Sequence, residues 1–317
     1  MFVRIAAAVL FTAIAAPALA AEWSYEDGSG QTVTLDHIPQ RIVAHAHAAA
    51  GLIPFGIRPV GIYVDGPVED DKALQGLDLT GIEIVGEAWG EINVEKAAAL
   101  RPDLIVAEWW PMDSTWGGFE RGADSSSQPI MNLAPITGPA QRDSVVTLIE
   151  DYSALAESLG ADLADPAIAA DKSAFDASLA AFKSVVAAKP GLVAMPVWAG
   201  TDALYVAATG GSAELSDFAS WGLHLIDPET ADDRGYWETL SWENADKYQP
   251  DLILVDNRSA ATMQTALDQP TWTAMKAAAA GQVTDWPAFW LRNYRAYATA
   301  LDTLTAAIAA ADENLTD

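Results

Sequence analysis

The sequence contains no cysteine, which excludes disulfide bonds, thiolate nucleophiles and thiolate metal sites. Basic residues are also scarce: 17 lysines and arginines stand against 44 acidic residues, giving a formal net charge of −27. Such a charge disfavours nucleic acid and anionic lipid as main partners. After the N-terminal segment, no apolar run reaches the roughly 18 residues that a membrane-spanning helix needs. We therefore expect a soluble chain without a membrane span, stabilised by its hydrophobic core.

Motifs for covalent or phosphate chemistry are missing as well. The chain has neither the G-x-S-x-G nucleophile motif nor the G-x-x-x-x-G-K phosphate loop, and it contains only four histidines. We therefore predict that the protein is not an enzyme, that it has no catalytic residue and no cofactor, and that it holds no metal ion of its own.

Residues 1–20 have the pattern of a secretory signal peptide. A short basic start that includes Arg4 precedes an apolar run from Ile5 to Ala16, and Ala18-Leu19-Ala20 offers a cleavage site before Ala21. No cysteine follows the cleavage site, so a lipoprotein anchor is excluded. The pattern predicts export to the periplasm.

One segment pattern occurs twice. Residues 92–107 and 240–255 share Glu, Ala and the run Pro-Asp-Leu-Ile at matching positions, with Asp103 and Asp251 separated by 148 residues. A short helix ended by proline and followed by an apolar strand is one crossover unit of a parallel sheet. One copy in each half predicts two similar α/β lobes with a cleft between them.

The segment between the two copies is typical of long helices. After Pro166, apolar residues recur at helical spacing until Lys189-Pro190-Gly191. The predicted fold class is therefore α/β, with two small lobes of mainly parallel sheet joined by one long helix. We assign residues 21–160 to an N-terminal lobe, 161–189 to the connecting helix and 190–317 to a C-terminal lobe. In the first lobe, Ile130–Leu133 is predicted as a fifth strand.

Ligands of open α/β sheets bind beyond the carboxyl ends of the strands, and aromatic residues are concentrated at those ends here. Arg234 and Arg258, together with Arg292, have side chains suited to carboxylate, catecholate or phosphate groups. Glu108-Trp109-Trp110 and Asp256-Asn257-Arg258 follow the two copies of the repeat, so we expect them to face one another across the cleft. The predicted ligand-binding residues are His45, Tyr63, Trp89, Trp109, Trp110, Trp198, Tyr205, Arg234, Trp237, Arg258, Trp286 and Trp290.

With these features the chain resembles class III periplasmic binding proteins, which serve importers of ferric siderophores, haem and vitamin B12. The phrase Ile92–Val106 and the segment Gly210–Ile226 carry the resemblance most specifically, and it extends over residues 40–311. It implies a monomer that captures a ferric siderophore between its lobes and delivers it to an ABC permease in the inner membrane. It also implies docking to that permease through one exposed glutamate per lobe. Glu120 matches in the first lobe, and Glu214 is the nearest acid in the second.

Other functions remain open at this stage. Cobalamin or haem is an alternative ligand of the same fold, with His45, His47 or Tyr63 as haem ligands. Direct zinc or manganese binding through His45 and His47 is a further alternative, although the usual three histidines and a carboxylate are not visible. Acids such as Glu87, Glu91 and Glu108 near tryptophans also fit an exported carbohydrate-active enzyme. A sensory role with the same fold is a last alternative.

Overall fold

The computed structural model describes residues 22–119 and 128–315. The predicted signal peptide lies outside these residues. The described chain begins with an antiparallel hairpin of strands β1 (Trp23–Glu26) and β2 (Thr32–Leu35). Among the described residues, no helix combines the length and the apolar character that crossing a membrane requires.

The first lobe is built on a parallel sheet whose strands lie in the order β5-β4-β3-β6-β9. A short antiparallel hairpin, β7 with β8, follows strand β6. The strands are β3 (Ile42–His45), β4 (Gly61–Val64), β5 (Glu83–Glu87), β6 (Leu104–Val106), β7 (Trp109–Trp110), β8 (Thr115–Trp116) and β9 (Ile136–Thr137), and the helices are α1 (Ala46–Leu52), α2 (Val94–Ala99) and α3 (Val145–Ser158).

The strand predicted at Ile130–Leu133 is wrong. Residues Gln128–Asn132 form a 3₁₀ helix, and the fifth strand of the sheet is β9, a few residues later. Pro129 suits the first turn of a helix, and Pro135 favours extended backbone in the residue before it. The extended segment therefore starts beyond Leu133, while Ile130 is fully buried from the helical turn.

A single long helix, α4 (Pro166–Ala188), joins the lobes where the sequence predicts a connecting helix. Its first turn is capped by the Asp165 side chain, which accepts a hydrogen bond from the backbone N–H of Ala167 at 2.8 Å. At 1.5 Å per residue the helix is roughly 35 Å long. Phe175 and Phe182 on its buried face pack into the core.

The second lobe is built on a mixed sheet in the order β13-β11-β10-β14-β15, with a short strand β12 also paired to β10. Strands β10, β12, β14 and β15 are parallel, whereas β11 and β13 run antiparallel to their neighbours. The strands are β10 (Val193–Ala199), β11 (Ala203–Ala207), β12 (His224–Leu225), β13 (Trp237–Ser241), β14 (Leu252–Asp256) and β15 (Val283–Trp286), and the helices are α5 (Ala213–Ser220), α6 (Ala261–Leu267), α7 (Lys276–Ala279) and α8 (Tyr294–Ala310).

The two lobes share one hydrophobic core beside the long helix. This core contains Ala44 of the first sheet, Leu254 of the second, Phe182 of α4 and Leu301 of α8. Helix α8 packs against α4, with the Phe175 ring 5.2 Å from that of Tyr297. Because closely packed interiors resist deformation, this arrangement limits the movement of the lobes relative to one another.

The repeated Pro-Asp-Leu-Ile motif plays the same structural role in both lobes. In the first lobe, the Asp103 carboxylate accepts a hydrogen bond from the backbone N–H of Arg41 at 2.8 Å, just before β3. In the second lobe, the Asp251 carboxylate accepts one from the backbone N–H of Val193 at 3.0 Å, at the start of β10. Each aspartate also donates its backbone N–H to the carbonyl of that same residue. The motif thus fixes where the central strand pair of each sheet begins.

We predict that Asp251→Ala destabilises the protein by about 1–3 kcal/mol, because it leaves a backbone N–H unpaired at the base of a buried sheet. Urea unfolding followed by circular dichroism measures the change. Asp246→Ala removes an exposed carboxylate from the same copy of the repeat and is expected to have little effect. Equal losses for both variants would contradict the role assigned to the motif.

Candidate ligand-binding cleft

Three neighbouring aromatic side chains, Trp198, Tyr205 and Trp237, form an aromatic wall on the second lobe. Trp198 and Tyr205 are directly paired across β10 and β11, and their rings stack with centroids 4.6 Å apart. Trp237, on the next strand, lies 6.3 Å from both rings. Cross-strand and diagonal neighbours on one face of a sheet are in reach of each other, which explains the cluster. Trp198 remains 37% exposed.

This wall borders a cavity of about 460 Å³ at the carboxyl ends of β10 and β14. Its other polar groups come from the loop that follows β14. The lining residues are Trp198, Trp237, Asp256, Arg258, Ser259 and Thr262.

A second aromatic pair stands on the first lobe. Trp89 follows β5 and stacks on Trp110 of β7 with ring centroids 5.5 Å apart and planes 18° from parallel. Trp89 is 43% exposed. Neighbouring residues on a strand point to opposite faces, so Trp109 does not join this pair. It packs edge-on against Trp116 at 5.1 Å instead.

Three of the predicted ligand-binding residues are buried, and their assignment to ligand contact is wrong. His45, Tyr63 and Trp286 are at most 1% exposed. Gly117 and Gly118, which follow the β7–β8 hairpin, pack over the first two: a Cβ atom on Gly117 would come within 2.9 Å of His45 Nδ1. His45 packs against Trp110 and Tyr63, and Trp286 packs against Trp237. The three buried residues therefore hold the more exposed rings in position.

Each set of rings is backed by buried rings of its own lobe. In the second lobe, Trp286 lies 5.9 Å from Trp237 and 5.8 Å from Phe289. In the first lobe, His45 lies 6.4 Å from Trp110 and 5.0 Å from His47. His47 contacts Arg292, which borders an inter-lobe cavity together with Phe289.

A buried ion pair joins the two lobes. Glu108, directly beyond β6, and Arg292, just before α8, are 0% and 4% exposed and form a forked interaction, with Nη2 of Arg292 2.9 Å from Oε2 of Glu108. The hydroxyl of Tyr152 donates a further hydrogen bond to Glu108 at 3.0 Å. Burial opposes the charge of Arg292, but the Glu108 carboxylate outweighs it and raises the pKa of the guanidinium.

His47 completes this bridge. Its Nδ1 accepts a hydrogen bond from Nη2 of Arg292 at 3.2 Å. Burial lowers the pKa of His47 well below its usual value, and the positive charge of Arg292 lowers it further. The imidazole is therefore neutral at pH 7.

The remaining predicted arginines also have carboxylate partners. Arg258 forms a forked pair with Asp256, with Nε 2.9 Å and Nη2 2.5 Å from Oδ2. Its guanidinium lies 4.7 Å from the centroid of the Phe289 ring. Arg234 approaches Asp113 of the first lobe at 3.6 Å, and the neighbouring Tyr236 hydroxyl is 3.0 Å from Met112 Sδ. These last two contacts connect the lobes at one end of the cleft.

Phe289, which the sequence analysis did not single out, has a strained backbone with φ of 65°. Its backbone N–H donates to the Glu214 carboxylate at 2.6 Å. Backbone strain of this kind persists where the surroundings hold it and is concentrated at functional sites. The sequence indicates a role for Phe289 only in that the residue lies in the aromatic run from Trp286 to Trp290.

The permease-docking assignment of Glu214 is wrong. Its side chain is buried, with 2% of the residue exposed, because it caps the backbone of Phe289 at the lobe interface. Burial raises the pKa of this carboxyl group. Glu120 lies outside the described residues.

Trp290 belongs to a separate cavity. Its Nε1 donates to Asn257 Oδ1 at 2.8 Å, and it borders a space of about 380 Å³ between the Lys72–Leu77 loop of the first lobe and helix α8. The structure therefore groups Trp198, Tyr205, Trp237 and Arg258 on the second lobe and places Trp89 and Trp110 in a separate stacked pair on the first. Arg234 lies where the lobes meet, beside Asp113.

Within residues 22–119 and 128–315, no group of three or more His, Asp or Glu side chains is placed to hold a metal ion. Of the acids considered for carbohydrate chemistry, Glu108 is sequestered in its ion pair. Stacked aromatic walls bordering an open cavity instead suit the binding of a bulky organic molecule.

Comparisons with known proteins show the family and the fold of the chain. The profile of the family described as "Periplasmic binding protein" matches residues 63–288. The structure of DesE, a ferric-siderophore receptor protein from Streptomyces coelicolor, is 32% identical and superimposes with a TM-score of 0.82, covering 92% of this chain and 99% of that chain. A search of the curated proteins gave no match.

More distant structures share the fold. The siderophore periplasmic binding protein from the fuscachelin gene cluster of Thermobifida fusca is 20% identical with a TM-score of 0.63, covering 85% of this chain and 96% of that one. The siderophore binding protein FhuD from Vibrio cholerae, with Fe³⁺-Desferal bound, is 19% identical with a TM-score of 0.60, covering 86% and 98%. These matches establish the two-lobed α/β architecture.

We predict that Arg292→Met lowers the free energy of unfolding by about 3–5 kcal/mol, because it leaves the Glu108 carboxylate buried without its partner. Adding Glu108→Leu to that variant is expected to restore part of the loss. Arg295→Met, three residues later, removes an exposed pair with Asp171 and is expected to cost less than about 1 kcal/mol. Urea unfolding compares the variants, and equal losses for the two arginine variants would contradict the bridge.

Proposed function

Because the chain belongs to the family of periplasmic binding proteins, we propose that it captures a ferric siderophore in the cleft between its lobes and delivers it to an ABC permease. The observation that carries the proposal is the pair of aromatic walls, Trp198–Tyr205–Trp237 on the second lobe and Trp89–Trp110 on the first. The likeness to a ferric-siderophore receptor protein over nearly the whole chain supports it.

Capture of such a ligand requires no reaction. A siderophore already encloses its iron, so the protein has to recognise the organic shell, and flat aromatic side chains offer large contact areas at little entropic cost. The buried supports behind the walls keep the rings in place before the ligand arrives. Preorganisation of this kind raises affinity because less freedom is lost on binding.

We propose that residues 21–160 and 190–317 form the two lobes and that residues 161–189 form the connecting helix. The shared core along α4 and the Glu108–Arg292 bridge favour small movements on binding. We further propose that the protein acts as a periplasmic monomer. Glu120 is the proposed docking residue of the first lobe, while the docking residue of the second lobe is left unassigned because Glu214 is buried.

Haem is the alternative ligand that shares this fold, since a haem-binding protein, BhuT, is among the similar structures at 21% identity. The geometry favours it less. Haem iron needs an axial ligand such as histidine or tyrosine. His45 and Tyr63 are enclosed, and Nδ1 of His47 is engaged by Arg292.

We predict that ferric siderophores quench the tryptophan fluorescence of the purified protein, because several tryptophan rings line the cleft. Titrations with ferric hydroxamates, ferric catecholates, ferric citrate, cobalamin, haem and zinc compare the candidate ligands. A Kd below about 1 μM is expected for at least one iron chelate. Tight binding of haem, cobalamin or zinc without binding of any iron chelate would refute the proposed ligand class, and turnover of an oligosaccharide would refute a binding role.

We also predict that Trp198→Ala and Trp237→Ala each weaken binding of the preferred chelate about tenfold or more, because each removes a stacking surface at the cavity. Isothermal titration calorimetry measures the affinity, and a thermal melt checks folding. Trp221→Ala is the matched control, since Trp221 packs against Tyr297 in the core beside α8, away from the wall. Unchanged affinity in both wall variants would show that the ligand binds elsewhere.

A further inference from the structure

The arginines near the cleft are neutralised before any ligand arrives. Arg258 is held by Asp256, Arg292 by Glu108 and Arg234 by Asp113. The same is true of Arg142, which borders a neighbouring inter-lobe cavity of about 200 Å³ and pairs with Asp151 at 2.6 Å. Among the described residues that border these cavities, each arginine therefore has a carboxylate partner.

Asp65, Glu87 and His47 bring no unpaired positive charge to the cleft. Burial alone would raise the pKa of Asp65, but the charge of His45 and its hydrogen bond outweigh this effect and lower it, so Asp65 is a further carboxylate that already has a partner. Glu87 is the last residue of the first lobe's edge strand β5 and is exposed. His47 contributes no compensating charge because its ring is neutral.

These observations bear on which siderophores the site accepts. Iron held by three singly charged hydroxamates forms a neutral core, whereas iron held by three doubly charged catecholates forms a core with three negative charges. An anionic core would have to displace Asp256 from Arg258 or accept repulsion from it. Like charges brought together in a partly desolvated site cost free energy and reduce affinity.

We infer that the cleft selects ferric chelates whose net charge is zero or positive, and that it recognises them by aromatic contact rather than by free arginines. The inference rests on the proposed siderophore function and narrows its ligand class to chelates of the trihydroxamate type, including those with a pendant ammonium group. The paired arginines act as part of the wall: Arg258, held by Asp256, stacks on Phe289.

A charge series on one ligand skeleton tests the inference. The probes are a linear ferric trihydroxamate that ends in a primary ammonium, its N-acetyl derivative and its N-succinyl derivative, which differ by one unit of charge at each step. Fluorescence titration of the full mature protein at low salt is expected to give similar Kd values for the first two and a Kd at least about tenfold weaker for the succinyl derivative. Raising the salt concentration is expected to narrow this difference.

The variant Asp256→Asn tests whether the pairing of Arg258 with Asp256 causes the charge selectivity. It keeps the shape of the side chain but releases the charge of Arg258, so it is expected to improve binding of the succinyl derivative about fivefold or more relative to the ammonium form. Asp246→Asn removes one exposed negative charge from the opposite end of β14 and controls for net charge. If Asp256→Asn fails to fold, the salt dependence of the wild-type series carries the same test.

The outcomes separate this inference from the proposed function. Equal or tighter binding of the succinyl derivative, or a charge preference that salt does not change, overturns the charge selectivity and leaves siderophore capture standing. If none of the three ferric chelates binds while haem or cobalamin does, both the selectivity and the proposed function fail.

Discussion

The buried pair of Glu108 and Arg292 is the interaction on which the cleft depends. It joins the segment just after β6 of one lobe to the segment that leads into the last helix of the other, and Tyr152 and His47 complete its hydrogen bonds. Two charges are costly to remove from water, so such a pair stabilises the fold only when both partners are present with good geometry. That requirement sets the relative position of the lobes, because either lobe displaced alone would leave a charge buried without its partner.

The other residues of the site are arranged around this ion pair. Arg292 bonds to His47 and borders an inter-lobe cavity together with Phe289. Ring contacts lead from Phe289 through Trp286 to Trp237 in one lobe, and from His47 through His45 to Trp110 in the other. The shared core along α4 and α8 stiffens the same region from the side opposite the cleft. A binding surface supported in this way is formed before the ligand is bound, which favours recognition by shape and stacking over recognition by large rearrangement.

Much of the architecture could be predicted from the sequence because its signals are local. The two Pro-Asp-Leu-Ile phrases mark equivalent strands, and the fold class, the family resemblance and the long helix are confirmed. Of the aromatic residues after the strands, Trp198 and Trp237 border a cavity on the second lobe, and Trp89 and Trp110 form a stacked pair on the first. Their contact with a ligand stays a prediction. Position after a strand does not reveal burial, however. His45, Tyr63 and Trp286 have the same sequence context as the wall residues, but the glycines after the β7–β8 hairpin or neighbouring rings cover them.

The sequence by itself determined the duplicated scaffold and which residues follow the strands of each sheet, because strand periodicity, proline stops and chain direction are properties of neighbouring residues. Only the tertiary structure decided the chemistry of the cleft. Glu108 and Arg258, which follow the two copies of the repeat, carry opposite charges, but each is neutralised by a partner. Arg292 is distant from Glu108 in sequence and Asp256 is only two residues from Arg258, yet neither pairing follows from spacing, because charge compensation depends on which side chains meet in space.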